Sequence, residues 1–233
     1  MPLYSIANLT VKIENAKGRI VTQAQPYLCK DGTADIVITV DENRVNKAVA
    51  EHLELNYSDW EYMITGDDFY RQLLNFNGIM LHASCVVYNG RAYAFSASSG
   101  VGKTTHTKLW LKHLDGAYIL NDDKPAIRVI DGRLCACGTP WSGRDDISRP
   151  EIVPLDSICF IERAKENRIE VADTHSAVFK IFSQTIRKLG EQGMEKLFDV
   201  LDEMFKNITF YNLFCDMSDE AFEVAYNELI KEK

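Results

Sequence analysis

The chain has 233 residues, which suits one large domain or one domain with a small additional lobe. Apolar residues make up 46% and charged residues 26%, so the composition supports a sizeable core and argues against disorder or a fibrous chain. The net charge of −8, without any run of Lys or Arg, argues against nucleic acid as a partner. No apolar run approaches the length of a membrane span and no signal peptide is visible, so we expect a cytoplasmic protein without a membrane partner.

Residues 1–75 are predicted to form either a separate strand-rich lobe or the first layer of a single domain. Two segments alternate apolar and polar residues as strands do, and two others have a helical pattern. The strands cover residues 9–13 and 34–40, and the helices cover residues 43–54 and 67–76. Asp31-Gly32 is a turn signal between the strands.

Residues 76–233 are predicted to form the main domain, in which strands surround a small-residue loop and helices follow. The predicted strands cover residues 79–87, 91–95, 117–120, 126–130, 133–137, 157–162 and 208–215. Asn89-Gly90 and Asp131-Gly132 predict tight hairpin turns, and a helix is expected from Lys103 to about Leu114. The fold class is therefore α/β with a mixed sheet.

The last third of the chain is predicted to be helical, with large apolar side chains at helical spacing. We expect these side chains to pack in the core. They are Phe179, Phe182, Ile186, Leu189, Met194, Leu197, Phe198, Leu201, Met204 and Phe205.

The cysteines lie mostly in apolar stretches, and free buried thiols are typical of a reducing compartment. Cys135 and Cys137 invite a metal interpretation, but no second Cys or His pair follows at zinc-like spacing. Alternation along a strand would place both sulfur atoms on one face. We therefore expect no metal at these cysteines.

The most informative stretch is a glycine-containing loop between a predicted strand and a predicted helix, Ala97-Ser98-Ser99-Gly100-Val101-Gly102-Lys103-Thr104. Gly100 and Gly102 permit positive φ, so the loop N–H groups can turn inward around an anion at the start of the helix. Lys103 would bind the β- and γ-phosphates of a nucleoside triphosphate, and the Thr104 hydroxyl would bind Mg²⁺. The predicted cofactor-binding residues are Ser98, Ser99, Gly100, Val101, Gly102, Lys103, Thr104 and Thr105.

The loop departs from the pattern G-x-x-x-x-G-K-[ST] at one position, because Ala97 replaces the first glycine. Its φ must therefore avoid positive values. A dinucleotide site is a second interpretation, since Asp122 follows at a suitable distance. That site would need a third glycine where the chain has Thr105, so we set it aside.

Two adjacent carboxylates follow the next predicted strand, in Asn121-Asp122-Asp123. Strand ends gather at the ligand crevice of nucleotide-binding α/β proteins. One carboxylate can hold the metal, for which we select Asp123 with Thr104, and the other can accept the proton of an attacking hydroxyl. The residues leave open which is the base, and a solvated turn is the alternative.

His82 and Arg144 complete the candidate catalytic set with Asp122 and Asp123. His82 lies in a predicted strand of the hairpin that leads into the loop, so it is a candidate neighbour of the transferred phosphate or, alternatively, a core residue. Arg144 and Arg149 follow a small-residue loop and are candidates to neutralise the transferred group or bind the acceptor. The alternative for both is a surface position.

Residues 79–162 resemble the catalytic domain of the HPr kinase/phosphorylase family in three motifs in the same order: Leu81-His82-Ala83, Ser99-Gly100-Val101-Gly102-Lys103-Thr104 and Asn121-Asp122-Asp123. The resemblance implies the P-loop fold shared with phosphoenolpyruvate carboxykinases and ATP-dependent phosphorylation of a serine hydroxyl. It places His82 beside the transferred phosphate. The loop at residues 138–144 resembles that of shorter HPr-kinase-like proteins, including kinases of small peptides, which directs the expected acceptor away from HPr itself.

The sequence therefore predicts an Mg²⁺-dependent kinase acting on a serine of a protein, a peptide or a small molecule. A non-catalytic nucleotide sensor and a hydrolase that uses water as acceptor are the alternatives. ATP and GTP are not distinguished, because the loop contacts phosphates rather than the base. The oligomeric state, including a homo-oligomer, is left open.

Overall fold

The protein is a mixed α/β structure, as a computed structural model shows for residues 2–185 and 189–230, the residues that the structure describes. Its strands, in chain order, are β1 Leu3–Ile6, β2 Leu9–Glu14, β3 Leu28–Cys29, β4 Ile36–Thr39, β5 Gly78–Met80, β6 Ala83–Tyr88, β7 Arg91–Ser96, β8 Tyr118–Asn121, β9 Ala126–Ile130, β10 Arg133–Cys137, β11 Ile152–Arg163, β12 Arg168–Val171 and β13 Thr209–Cys215. Its α-helices are α1 Arg19–Gln23, α2 Glu42–Glu51, α3 Tyr57–Leu73, α4 Lys103–His113, α5 Thr174–Gln184, α6 Glu191–Asn207 and α7 Asp219–Leu229. Within the described residues, no helix combines the length and the apolar character needed to cross a membrane.

The N-terminal sheet has the strand order β3-β1-β2-β4, with β4 parallel to β2 and the other pairs antiparallel. Its buried face packs on α3 through Tyr62 and Phe69. The same apolar cluster includes Cys135, Cys137 and Trp141, so both cysteine side chains lie on one face of β10. Residues on both sides of the predicted boundary at residue 75 thus share a cluster, and the boundary itself stays a prediction.

The larger sheet has the strand order β5-β9-β10-β11-β7-β6-β8, and β13 pairs with both β11 and β12. Strands β7, β11 and β13 are parallel, while β6 and β10 run antiparallel to their neighbours. Because parallel strands share one carboxyl edge, the residues after Ser96, Arg163 and Cys215 meet there. The loop at residues 97–104 lies at this edge.

Both faces of the parallel strands are buried, which follows from the alternation of their side chains. Ala94 and Phe160 face a cluster that α5 and α6 complete. Phe95 faces the opposite cluster, where Trp110 of α4 and Phe222 of α7 cover the sheet. Helix α4 therefore packs against both the sheet and α7, and these contacts fix the position of its first turn beside the loop.

The strand predicted for residues 79–87 is wrong in one respect that matters for the site. The chain leaves the sheet at Leu81 and His82, between β5 and β6. The Leu81 N–H donates to the carbonyl of Pro125, and the His82 N–H donates to the carbonyl of Gln184. The two strands pair with different neighbours, β5 with β9 and β6 with β7 and β8. The break between them is not visible in the sequence, because the apolar run continues across it. His82 lies at that break rather than in a strand.

Two helical predictions also need correction. Helix α3 begins at Tyr57, ten residues before the predicted start, and its first turns bury Glu61 and Thr65, which obscure an apolar stripe. The expectation that the C-terminal aromatic residues all pack in the core is wrong for Phe179 and Phe198, which are 62% and 52% exposed. Leu189 lies outside α5, and Ile186 lies outside the described residues.

Candidate functional site

The 97–104 loop leaves β7 and enters α4 at Lys103, as its motif predicts. Gly100 and Gly102 have φ values of 78° and 135°, and a Cβ at either position would meet open space. The backbone conformation, rather than crowding, therefore requires glycine at both positions. Ala97 keeps a negative φ, as the sequence demands. The positive φ predicted for the two glycines is confirmed, and their role in cofactor binding stays a prediction.

The N-terminus of α4 suits an anion. Among the described residues no side chain caps it, because the N-cap is Gly102, and its first turn contains no acidic residue. The first N–H groups of a helix have no intrahelical acceptor, and the helix dipole is positive at this end. These amides can therefore contact phosphate oxygens without displacing a protein group.

Arg163, at the end of β11, forms two hydrogen bonds to the backbone of the loop. Its Nε donates to the carbonyl of Val101 at 2.9 Å, and its Nη2 donates to the carbonyl of Gly100. These bonds fix the positions of the two carbonyl groups. No sequence motif marks this arginine, because its contacts are 62 and 63 residues away along the chain.

Lys103 is a buried lysine on the cavity side of the loop. Its Nζ donates to the carbonyl of Ala97 at 3.0 Å and lies 2.8 Å from Nε2 of His82. Burial lowers the pKa of the ammonium group, and the charge of Asp123 opposes this effect. A partly desolvated cation interacts more strongly with phosphate than an exposed one.

The His82 ring connects the loop to the carboxylates. Its Nδ1 lies 2.8 Å from Oε1 of Gln184, and its Nε2 lies 3.2 Å from Oδ1 of Asp123. When Nδ1 donates to Gln184, the neutral ring has only a lone pair at Nε2, which can accept from Lys103 but not donate to Asp123. The two contacts of Nε2 are therefore alternatives, because the first needs a lone pair and the second needs a hydrogen on that atom.

Asn121, at the end of β8, shapes the turn that carries the two carboxylates. Its Oδ1 accepts from the N–H groups of Asp123 at 3.0 Å and Lys124 at 2.7 Å. Its Nδ2 donates to the carbonyl groups of Thr139 and Trp141, both at 3.1 Å. This fully buried amide thus fixes the turn and anchors it to the 139–146 loop.

Asp122 and Asp123 have opposite electrostatic environments. Burial raises the pKa of Asp122, a bond from the Gly143 N–H at 2.6 Å opposes this shift, and the charge of Asp123 adds to it. Burial would also raise the pKa of Asp123, but the His82 bond and the Lys124 ammonium at 2.7 Å outweigh it and lower that pKa. Asp122 is therefore the stronger base, and Asp123 is the more firmly ionised carboxylate.

The loop, the histidine and the carboxylates line one cavity of about 630 Å³, which we call the main cavity. It contains most of the predicted site residues, namely His82, Ser99, Gly100, Gly102, Lys103, Thr104, Thr105, Asp122, Asp123 and Arg144. Ser98 and Val101 do not line it. Arg149 lies elsewhere, over the Tyr118 ring and 3.8 Å from Glu151.

Other residues of the main cavity were missed because they come from distant segments. Tyr62 and Asp59 of α3 and Arg19 of α1 form the wall opposite the loop. The Arg19 guanidinium donates to the carbonyl of Gly143 at 2.9 Å, pairs with Asp146 and lies over the Tyr62 ring. The N-terminal residues thus complete the site. Neither interpretation of residues 1–75, as a separate lobe or as the first layer of one domain, predicted this contribution.

The residues present fit a magnesium–polyphosphate complex. In the described part of the chain, no group of three or more His, Cys, Asp and Glu side chains is arranged to hold a metal ion. Mg²⁺ is commonly held by one or two carboxylates together with substrate phosphates. The main cavity offers the Thr104 hydroxyl and the Asp122–Asp123 pair beside the uncapped helix. This donor set suits a metal that arrives with the phosphates.

A second cavity of about 240 Å³, the Val101 cavity, lies on the other side of the loop and shares Gly102 and Thr105 with the main cavity. Its lining is largely apolar and includes His106. Trp110 Nε1 donates to Nε2 of His106 at 3.3 Å, and burial lowers the His106 pKa to about 3. The neutral ring therefore carries its proton on Nδ1, which has no hydrogen-bond partner within the described residues.

Comparisons with known proteins leave the family open. No protein-family model matches the chain, and no curated protein matches it significantly. Among solved structures it is similar to the HPr(Ser) kinase/phosphatase from Coxiella burnetii, with 9% sequence identity, 55% of this chain and 90% of that chain covered, and a TM-score of 0.30. At this level the likeness carries no functional argument, so function must be argued from the residues of the site.

Proposed function

We propose that the protein binds a nucleoside triphosphate with Mg²⁺ and transfers its terminal phosphoryl group to a hydroxyl. One observation carries this proposal: in one cavity beside an uncapped helix N-terminus, Lys103, His82, Asp123 and Lys124 lie in series, with the His82 ring 2.8 Å from the Lys103 ammonium and 3.2 Å from the Asp123 carboxylate. Phosphoryl transfer needs positioned cations for the phosphates and a carboxylate for the attacking hydroxyl. Both are present within this series and its neighbour Asp122.

The nucleotide would lie across the first turn of α4. Lys103 and the loop amides would hold the phosphates in the main cavity. The base would enter the Val101 cavity past Gly102 and Thr105, which line both cavities. A largely apolar pocket with one free donor, the Nδ1–H of His106, supports a heteroaromatic ligand with an acceptor at its edge.

In the transfer step, the acceptor oxygen forms a bond to the terminal phosphorus, and the bond to the bridging oxygen breaks. Asp122 would accept the hydroxyl proton, because its raised pKa makes it the better base of the pair. Asp123 would remain ionised and, with the Thr104 hydroxyl, would hold Mg²⁺, which would supply charge neutralisation for the phosphates. Arg144, exposed at the cavity wall, would attract the transferred group. We propose serine as the acceptor, as the motif resemblance implies.

The proposal is tested with γ-labelled ATP or GTP and Mg²⁺ in the presence of serine peptides and free serine. We expect label on an acceptor, and loss of this label in Asp122→Asn while nucleotide binding by calorimetry persists. Label that remains on the nucleotide with every acceptor contradicts the proposal and favours a sensor. Steady release of inorganic phosphate without labelled acceptor identifies a hydrolase instead.

A further inference from the structure

A third cavity of about 210 Å³, the Met63 cavity, opens beside the main cavity. The two share Tyr62, Met63 and Lys124. Lys124 also bonds Asp123, so the entrance of the Met63 cavity lies within one side-chain length of the catalytic carboxylates. The cavity continues between α3 and Trp141 to Met80.

The walls of the Met63 cavity present ring faces and thioether groups together with two charged side chains, Lys124 and Asp67, which are ion-paired with Asp123 and Arg71. The Tyr62 hydroxyl donates to the carbonyl of Pro140 at 2.8 Å. The Tyr70 hydroxyl bonds Thr139 at 2.8 Å, and Trp141 Nε1 donates to Thr65 at 3.3 Å. Because these groups are already bonded inside the protein, a polar ligand group would lose water without gaining a partner. The cavity therefore favours an apolar occupant.

The size is appropriate for one apolar side chain. A dry cavity of about 150 Å³ lined by aliphatic and aromatic residues can hold benzene. The Met63 cavity exceeds this volume. Its shape depends on Gly66, where a Cβ would lie 2.9 Å from Cδ1 of Trp141, so the glycine lets α3 approach the indole closely.

One face of α3 forms the common wall of both cavities. Its cavity-lining residues recur at helical spacing and are Asp59, Tyr62, Met63, Gly66, Asp67 and Tyr70. From Asp59 to Tyr70 the helix rises by about 16 Å, which matches about five residues of extended chain. A wall of this length, continuous with the catalytic cavity, fits a peptide better than a compact small molecule.

We propose that the acceptor is a peptide segment that lies along α3 and places an apolar side chain, adjacent or nearly adjacent to the reactive serine, in the Met63 cavity. This inference rests on the proposed phosphoryl transfer and names its acceptor class. The serine hydroxyl would lie at the Asp122–Asp123 pair, and the neighbouring side chain would pass Lys124 into the cavity. Met63 is then a residue that determines acceptor specificity.

The test is a set of serine peptides in an alanine host, with leucine moved through each of the three positions before and after the serine. We expect leucine at one position to raise kcat/KM for phosphorylation at least tenfold over the alanine host. Met63→Glu should abolish that preference, which is a ratio of kcat/KM values measured in one variant, so that any effect of the new charge on nucleotide binding in the main cavity, which Met63 also lines, cancels. Val171→Glu, at an exposed apolar residue of β12, is the matched control and should keep the preference.

The outcomes separate the two proposals. Transfer to peptides without any leucine preference, or with a preference that survives Met63→Glu, overturns the acceptor assignment and leaves phosphoryl transfer standing. Transfer to free serine or another small hydroxyl compound but to no peptide has the same meaning. Absence of transfer to every acceptor, with nucleotide binding intact, overturns the proposed function and this inference with it.

Discussion

The Lys103 ammonium lies 2.8 Å from Nε2 of His82, in a cavity that both side chains share with the Asp122–Asp123 pair. Among the described residues no carboxylate forms an ion pair with Lys103, so its charge remains available for a stronger partner. His82 and the carbonyl of Ala97 thus hold Lys103 near the loop amides. The ammonium group that we propose to bind phosphate is thus already in position without a ligand.

Replacement of Lys103 by alanine should weaken binding of a magnesium nucleoside triphosphate at least tenfold. A charge-assisted hydrogen bond contributes about 1.5–3 kcal/mol, and the loop amides alone retain the remaining affinity. Isothermal titration calorimetry measures the effect. Lys112→Ala is the control, since Lys112 is exposed on the same helix and pairs with Asp219. Equal affinities for the two variants would contradict the assigned role of the loop.

The two aspartates should respond oppositely to conversion to asparagine. The fold raises the Asp122 pKa and so favours its protonated form, a stabilisation present at low pH and lost as pH rises through the folded pKa. The lowered pKa of Asp123 gives a stabilisation that is present above about pH 4 and is lost as pH falls through the folded pKa.

At pH 7, Asp122→Asn should therefore raise Tm and Asp123→Asn should lower it, by a few degrees each, since about 1 kcal/mol shifts Tm by roughly 2–4 °C in a protein of this size. Differential scanning calorimetry of the parent and both variants is the measurement. Both variants should lose turnover, so a stability gain at Asp122 would accompany loss of function. Shifts of the same sign would contradict the opposite environments of the two carboxylates.

Asn121→Ala should be among the most destabilising substitutions near the site. It removes a fully buried amide and leaves the N–H groups of Asp123 and Lys124 and two carbonyl groups without their partners. We expect a loss of about 2–4 kcal/mol in the free energy of unfolding, measured by urea denaturation. The exposed Asn75, bonded only to Lys196 among the contacts seen, provides the control, and its alanine variant should change stability by less than about 0.5 kcal/mol. Comparable losses would show that the turn does not depend on Asn121.

His106 should make the protein less stable as the pH falls. Its folded pKa of about 3 lies below the unfolded value near 6.5, so below that pH the unfolded chain binds a proton that the folded chain excludes. Between pH 8 and pH 5 this residue should remove about 2 kcal/mol of stability. In His106→Phe that part of the pH dependence should disappear, whereas His175→Ala on α5 should retain it. Parallel stability–pH curves for the parent and His106→Phe would contradict the assignment.

The same variant addresses the Val101 cavity. His106→Phe removes the free Nδ1–H while keeping a ring of similar size. Affinity for ATP or GTP should fall several-fold, because one hydrogen bond to the base is lost. Affinity for inorganic triphosphate should remain unchanged. Equal effects on both ligands would place the base outside this cavity.

The parts of the site that the sequence predicted are those whose geometry is local. Gly100, Gly102 and Lys103 lie within four residues of one another. The positive φ of the two glycines and the start of α4 at Lys103 follow from residue type alone. The Asp122–Asp123 turn is likewise set by the neighbouring Asn121. These features need no knowledge of the rest of the fold.

The parts that were missed depend on contacts between distant segments. Arg19 reaches Gly143 across 124 residues, and Arg163 reaches Gly100 across 63. No periodicity or motif in one sequence reports such pairs. The break at His82 was hidden for a related reason, because the apolar run around it serves two strands with different neighbours. Phe179 and Phe198 show that helical spacing predicts which residues share one face of a helix, but not whether another element covers that face.

The wall that α1 and α3 contribute to the main cavity has an evolutionary consequence. The groups assigned to the triphosphate belong to β7, α4 and the turn after β8, whereas the groups assigned to acceptor choice lie mainly on α3. If the proposed function holds, substitutions confined to residues 59–70 would redirect transfer to a new peptide while the chemistry proposed for Lys103 and Asp122 stays intact. Acceptor range and catalytic power become separately adjustable traits of one chain.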